Sequence, residues 1–127
     1  FLGFRNLSDL LPKVGLVVLS SISEALPLVI LEGYAAGVPT VCTDVGSCRQ
    51  LVLGLPGEDA DLGASGRVVR IADPQALAQA AVALLQDEVQ WQQASDAAIQ
   101  RVERYYSQDL MFARYRALYE RNLQWQA

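Results

Sequence analysis

The sequence contains no histidine. This absence excludes nucleophile pairs of the Ser-His and Cys-His types and most metal sites, because all of these depend on an imidazole ring. Any catalysis in which the chain takes part must therefore rest on carboxylates, on backbone amides or on groups outside the chain.

Cysteine is scarce as well, and Cys42 and Cys48 are the two that the chain contains. Their spacing fits neither a Cys-x-x-Cys redox motif nor a zinc cluster. Cys42 falls on a predicted strand and Cys48 follows a turn, so we interpret both as reduced thiols with a structural role.

Basic clusters and long apolar runs are also missing. Ten Lys and Arg residues stand against 14 Asp and Glu, for a net charge of −4, which argues against a general affinity for nucleic acid or anionic membrane. No apolar run approaches the ~20 residues of a membrane span, and residues 1–5 lack the basic-then-apolar order of a signal peptide. The sequence therefore predicts a cytoplasmic protein whose ligand is a small molecule.

The patterns that are present predict a single α/β domain. The chain has 127 residues, enough for one core. Strand and helix patterns alternate, and the continuous apolar run over residues 16–19 is typical of a strand buried on both faces of a parallel sheet. We expect a parallel sheet with helices on both faces and strands over residues 16–19, 38–43 and 67–71.

Start and stop residues position the helices. Pro27 and Gly37 bound a helix over about residues 27–36, whose sheet-facing residues are expected to be Leu28, Leu31 and Ala35. Further helices are predicted near residues 48–51, from 74 onward, over 88–105 and from about 107 to the end. The last of these carries an aromatic-rich apolar stripe, which we interpret as core or interdomain packing: Met111, Phe112, Tyr115, Leu118, Tyr119 and Leu123.

Two glutamates eight positions apart, Glu24 and Glu32, are the most informative polar residues. They bracket the passage from the end of the first strand into the following helix. A helix start after a strand can bind a phosphorylated ligand through backbone amides, while nearby carboxylates accept hydrogen bonds from its hydroxyls. Asp44 and Gly46, after the second strand, are interpreted as turn residues. They stay outside this predicted site, as does Thr43, the last residue of that strand.

Residues 21–41 read Ser-x-x-Glu-x-x-Pro-Leu-x-x-Leu-Glu-x-x-Ala-x-Gly-x-Pro-x-Val. A Thr-Asp-x-Gly turn, an Ala-Asp-Pro helix start and an aromatic-rich last helix follow in order. This ordered set resembles the family 4 retaining glycosyltransferases, and residues 14–27 further resemble the PelF-type enzymes of bacterial exopolysaccharide synthesis. The resemblance implies a GT-B architecture of two Rossmann-like domains, with residues 1–127 as the distal part of the carboxyl-terminal, donor-binding domain.

The same resemblance implies roles for individual residues. Glu32 would accept hydrogen bonds from the ribose hydroxyls of the nucleotide, and Glu24 would lie beside the transferred sugar as the catalytic carboxylate. The remaining donor-binding contacts would come from the backbone amides of Ala25, Leu26, Leu28 and Val29. No metal and no cofactor are required in the family, and an Arg/Lys pair that contacts the leaving diphosphate is expected upstream of this chain.

The implied partners are a nucleoside-diphosphate sugar, with UDP suggested by the PelF-type resemblance, and a glycan acceptor. The chain's own amino-terminal domain, absent here, would bind the acceptor. The resemblance also implies association, through partners, with a polysaccharide synthesis complex at the inner membrane. No nucleic acid is expected, and the isolated fragment is expected to be inactive.

Several alternatives stay open at this point. Glu24 could cap the helix near Pro27, and Glu32 could be a solvated helix residue. Gly33 stands inside a predicted helix, which close packing against either the nucleotide or the sheet would explain. The chain could also be a non-catalytic Rossmann-like module that binds nucleotide or docks a partner through its apolar stripe.

Overall fold

The computed structural model describes residues 3–123, apart from the side chains of residues 122 and 123. Two 3-10 turns lie at Leu11–Lys13 and Ala60–Leu62. The strands and helices follow the predicted alternation, and their bounds in chain order are α1 Leu7–Leu10, β1 Val17–Leu19, α2 Leu28–Ala35, β2 Thr40–Thr43, α3 Cys48–Leu53, β3 Gly66–Val69, α4 Pro74–Gln86, α5 Glu88–Tyr105 and α6 Gln108–Leu123.

The three strands form one parallel sheet in the order β1-β2-β3. The first ladder ends with Leu19 opposite Cys42, and the second ends with Thr43 opposite Val69. Because the strands are parallel, their carboxyl ends lie at one edge of the sheet. In open α/β sheets this is the edge at which ligands bind.

Hydrophobic side chains cover both faces of the sheet, as predicted. Successive residues of a strand point to opposite faces, so Cys42 packs in a cluster with Ile30 and Leu51, whereas Val41 packs in a second cluster with Leu84. Helix α5 contributes residues to both clusters: Ala94 to the second and Ala98 to the first.

Helix α2 presents a different side to the sheet from the one predicted. Its buried residues are Ile30, Gly33 and Tyr34, while Leu28 is 63% exposed and Ala35 is exposed. The prediction that Leu28 and Ala35 face the sheet is therefore wrong. The helix is apolar around most of its circumference, so the spacing of its apolar residues does not distinguish one side from another.

Gly33 lies where α2 crosses β1. A Cβ atom at this position would be 2.9 Å from Cγ2 of Val17, closer than real side chains approach. Of the two explanations that the sequence left open for this glycine, packing against the sheet is thus the one that the structure bears out.

The segment between α3 and β3 is fixed by one long side chain from α5. Arg101 is fully buried and donates hydrogen bonds to the backbone carbonyls of Val52, Asp59 and Gly63. It also contacts the carboxylate of Asp59 and the hydroxyl of Ser65. The segment is therefore ordered by contacts that are distant in sequence.

Helix α6 has its apolar stripe on the surface. Met111, Phe112, Tyr115, Leu118 and Tyr119 are between 44% and 67% exposed, so the interpretation of these residues as part of the core is wrong. Interdomain packing stays a prediction, and the side chain of Leu123, the sixth member of the predicted stripe, lies outside the described residues. Among the helices within residues 3–123, none is both long and apolar enough to cross a membrane.

Candidate functional site at the carboxyl edge of the sheet

Two connections lie side by side where the strands end. The first is the loop of residues 20–27, here called the β1–α2 loop, which leads from β1 into α2. The second is the turn of residues 44–47, here called the β2–α3 turn, which leads from β2 into α3. The amide of Asp44 donates to the carbonyl of Val69 over 2.8 Å, which ties this turn to the end of β3.

Glu24 lies in the β1–α2 loop and is half-buried. Its Oε1 accepts a hydrogen bond of 2.7 Å from the hydroxyl of Ser21. Pro27 occupies the N-cap position of α2, and no side chain caps that helix. The alternative in which Glu24 serves as the helix cap is therefore excluded, and its carboxylate retains acceptor capacity for another group.

The end of β2 and the β2–α3 turn contact the β1–α2 loop through three residues. The hydroxyl of Thr43 donates to the carbonyl of Ser21 over 2.5 Å. The amide and the hydroxyl of Ser47 both donate to the carbonyl of Ala25, over 3.1 and 2.6 Å. Gly46 has φ +52°, and a Cβ atom there would overlap the carbonyl oxygen of Glu24. The sequence interpretation placed Thr43 and Gly46 outside the site, and the structure places both against its backbone.

The amino end of α2 provides backbone donors. The first N–H groups of a helix have no partner within it, and they carry the positive end of the helix dipole. At α2 these groups include the amides of Leu28 and Val29, which no side chain caps. This arrangement suits a diphosphate, as the sequence predicts.

Glu32 lies in the second turn of α2 and is exposed, while Gly33 and Tyr34 beside it are buried against the core. Neither of the two salt bridges found among residues 3–123 involves Glu24 or Glu32. The exposure of Glu32 is consistent both with a ligand contact and with a solvated helix residue, so its role in ribose binding stays a prediction.

An apolar cavity of about 380 Å³ adjoins the start of α2. It lies between Leu26 and Leu28 on one side and Met111 and Tyr115 of α6 on the other. The sequence predicted amide contacts for Leu26 and Leu28 and placed the Leu28 side chain against the sheet. In the structure both side chains line this cavity. Sequence reasoning missed it because α6 is far from α2 along the chain.

The two thiols lie beneath the site. Both are buried and form no disulfide, which confirms the interpretation as structural cysteines. Burial raises the pKa of Cys42 to about 12, with a further contribution from Cys48 beside it. Burial also raises the pKa of Cys48. Both groups are thus neutral and poorly nucleophilic at physiological pH. Within the described range, no three His, Cys, Asp or Glu side chains cluster in a way that could bind a metal ion.

Comparison with known proteins identifies the family of proteins to which this chain belongs. Residues 1–87 match the family model described as glycosyl transferases group 1, so the chain belongs to that family. The α/β fold with a parallel sheet and flanking helices corresponds to a fragment of a GT-B glycosyltransferase.

Two relatives illustrate the similarity. Over 120 residues the chain is 31% identical to the N-acetyl-alpha-D-glucosaminyl L-malate synthase of Bacillus anthracis, covering 94% of the chain and 29% of that protein. It also superposes on a sucrose-phosphate synthase from Thermosynechococcus elongatus with a TM-score of 0.79 and 24% identity, covering 93% of the chain and 28% of the synthase. The chain thus spans less than a third of the length of either relative.

Proposed function

We propose that this chain supplies the donor-binding part of a retaining glycosyltransferase, which transfers a sugar from a nucleoside-diphosphate sugar to a glycan acceptor. One observation carries the proposal: at the carboxyl edge of the sheet, the loop that bears Glu24 leads directly into the uncapped amino end of α2. A carboxylate and unpaired backbone donors are the groups that a sugar diphosphate requires. Membership of the glycosyl transferases group 1 family supports the proposal.

In the proposed donor complex, the amides of Leu28 and Val29 contact the diphosphate, and Glu32 accepts hydrogen bonds from the ribose hydroxyls. Glu24 lies beside the transferred sugar, with the amides of Ala25 and Leu26 as further donors to its hydroxyls. A carboxylate accepts two charge-assisted hydrogen bonds at once, which suits the vicinal hydroxyls of ribose.

The chemistry that follows is departure of the nucleoside diphosphate and attack of an acceptor hydroxyl on the same face of the sugar. The bond from the sugar to the diphosphate breaks as the new glycosidic bond forms, and the hydroxyl proton passes to the leaving phosphate. Negative charge develops on the leaving diphosphate, and the unpaired amides and dipole of α2 are oriented before the reaction begins. Such preorganised donors stabilise a transition state more than a ground state. An Arg/Lys pair outside this chain is proposed to add to this stabilisation, and no metal is required.

The finer assignments rest on the PelF-type resemblance. They comprise a UDP-sugar donor, a bacterial exopolysaccharide acceptor and a cytoplasmic location, with peripheral association at the inner membrane through a synthesis complex. The acceptor is proposed to bind to an amino-terminal domain of the same polypeptide, in keeping with the greater length of the two relatives.

A second candidate is a non-catalytic module that binds nucleotide or docks a partner. The exposed apolar residues of α6 favour it, because side chains such as Phe112 and Tyr119 on a surface helix are typical of a protein contact. Both candidate functions allow nucleotide binding, but only the glycosyltransferase would convert a nucleotide sugar and release the nucleotide.

The experiment that separates the two uses the full-length protein with UDP-, GDP- and ADP-glucose as donor probes and follows nucleotide release. The transferase account predicts release with at least one donor and a loss of at least 100-fold in kcat for Glu24→Gln, with nucleotide affinity retained. Glu103→Gln, which changes an exposed glutamate of α5, is the matched control. Binding without any release would favour the non-catalytic module.

A further inference from the structure

We propose that Thr43 is a positioning residue for the Glu24 carboxylate and that it acts through Ser21. The inference rests on the proposed function, since it assigns a role toward the carboxylate that is proposed to lie beside the transferred sugar. Its structural basis is a chain of two hydrogen bonds from β2 to Glu24. Thr43 donates to the carbonyl of Ser21 over 2.5 Å, and the hydroxyl of Ser21 donates to Glu24 Oε1 over 2.7 Å.

The position of Thr43 at the end of β2 explains why a side chain, and not a sheet hydrogen bond, holds the β1–α2 loop at Ser21. The ladder between β1 and β2 ends at the pair Leu19–Cys42, so beyond Leu19 the first connection is no longer held by sheet hydrogen bonds. Thr43 is the next residue of β2. Its hydroxyl reaches the carbonyl of Ser21, two residues past the end of β1, and so extends the pairing of the two segments by one further contact.

Thr43 is 4% exposed, and a buried hydroxyl without a partner destabilises the folded protein. The carbonyl of Leu19 lies 3.5 Å from this hydroxyl, and the carbonyl of Ser21, at 2.5 Å, is the nearer of the two acceptors. With that carbonyl fixed, the backbone of Ser21 is fixed too, and its hydroxyl is oriented toward Glu24. The geometry makes the carboxylate orientation depend on a residue of the neighbouring strand whose hydroxyl donates to Ser21 and not to Glu24 itself.

The other side of Glu24 is fixed independently. Ser47 donates twice to the carbonyl of Ala25, and the lack of a side chain at Gly46 allows the β2–α3 turn to approach the carbonyl of Glu24. The backbone of the loop is therefore held on both sides of Glu24. The hydrogen bond from Ser21 then determines the orientation of the Glu24 carboxylate. A charged group held in place before the substrate binds contributes more to the transition state than a mobile one.

The test uses the full-length enzyme and nucleotide release from UDP-, GDP- and ADP-glucose. Thr43→Val removes the hydroxyl and keeps the shape, whereas Thr43→Ser keeps the hydroxyl. We expect Thr43→Val to lower kcat about 10-fold, the effect of one hydrogen bond of about 1.4 kcal/mol. The dissociation constant of the free nucleotide should change less than twofold, and Thr43→Ser should restore kcat to within threefold of the wild type.

A double-mutant cycle shows whether the effect passes through Glu24. In a Glu24→Gln background, Thr43→Val should have little further effect on kcat, because the carboxylate that it positions is already absent. Ser21→Ala removes the intermediate hydroxyl without a change in the buried strand and should reproduce the loss. It also provides the test if Thr43→Val does not fold.

The outcomes separate the two proposals. Two results would overturn the positioning role alone. One is a wild-type kcat for both Thr43→Val and Ser21→Ala. The other is that Thr43→Val lowers kcat as much in the Glu24→Gln background as it does in the wild type. Wild-type kcat for Glu24→Gln, or no release from any donor, would overturn the proposed function itself.

Discussion

The guanidinium of Arg101 on α5 donates from Nε to Oδ2 of Asp59 over 2.6 Å, and both side chains are buried. The partners are 42 residues apart in the sequence. The pair joins the segment between α3 and β3 to the helix that contributes to both hydrophobic clusters, so it stabilises the fold that carries the site without contributing to the site itself.

We predict that Arg101→Met lowers the free energy of unfolding by about 3–5 kcal/mol, because it leaves a buried carboxylate without its partner. Urea denaturation of the purified protein measures this. The exposed pair of Arg49 and Asp44 provides the control, since Arg49→Met should leave the free energy of unfolding close to that of the wild type. Equal losses for the two variants would show that burial does not set the strength of the Arg101 pair.

A second prediction concerns the β2–α3 turn, which contacts the β1–α2 loop. Gly46→Ala should lower kcat at least 10-fold, because the new Cβ overlaps the carbonyl oxygen of Glu24 and one of the two backbone segments must move. Gly57→Ala is the control: Gly57 also has positive φ, at +79°, but its Cβ would meet no atom within 4 Å. Gly57→Ala should therefore cost only about 1 kcal/mol of stability and leave kcat unchanged. Matching kcat values for both variants would refute the contact.

A third prediction follows from the buried thiol of Cys42. Its pKa rises from an ordinary value of 9.0 to about 12 on folding, so the unfolded chain releases this proton at lower pH than the folded protein does. The resulting stability is fully present below pH 9 and is lost as the pH rises toward 12. The free energy of unfolding should fall by up to about 1.4 kcal/mol per pH unit in this range from this group.

Denaturation curves between pH 8 and pH 11 for the wild type and Cys42→Ala measure that dependence. The variant should be less stable at neutral pH, because it leaves a cavity. Its stability should nevertheless fall less steeply with pH, because it has lost one group with a raised pKa. Parallel slopes for the two proteins would contradict the assignment to Cys42.

Much of the fold was predictable because its signals are local. Helix α5 runs over Glu88–Tyr105, the bounds that the sequence predicts, and Asp73 caps α4 ahead of Pro74 as expected. Capping residues and prolines act within one turn of a helix, so they can be recognised without knowledge of the tertiary structure.

The features that the sequence analysis missed depend on distant contacts. Thr43 is the last residue of a predicted strand, and its partner is 22 positions away, so no local pattern marks it. Arg101 did have a signal: it follows Ala94, Ala97 and Ala98 at the spacing of one helix face, and that face is buried. A charged residue in line with a row of alanines is a usable indication of a buried ion pair.

The most direct test of the central claim, that the loop and helix after β1 bind an activated sugar, is the affinity of the full-length protein for free nucleotide. Calorimetry with UDP, GDP and ADP should show that Glu32→Ala weakens the tightest of these by about 1.5–3 kcal/mol, the loss expected for a charge-assisted hydrogen bond. Glu103→Ala, at an exposed position of α5, should bind as the wild type does. Unchanged affinity in Glu32→Ala would contradict the account.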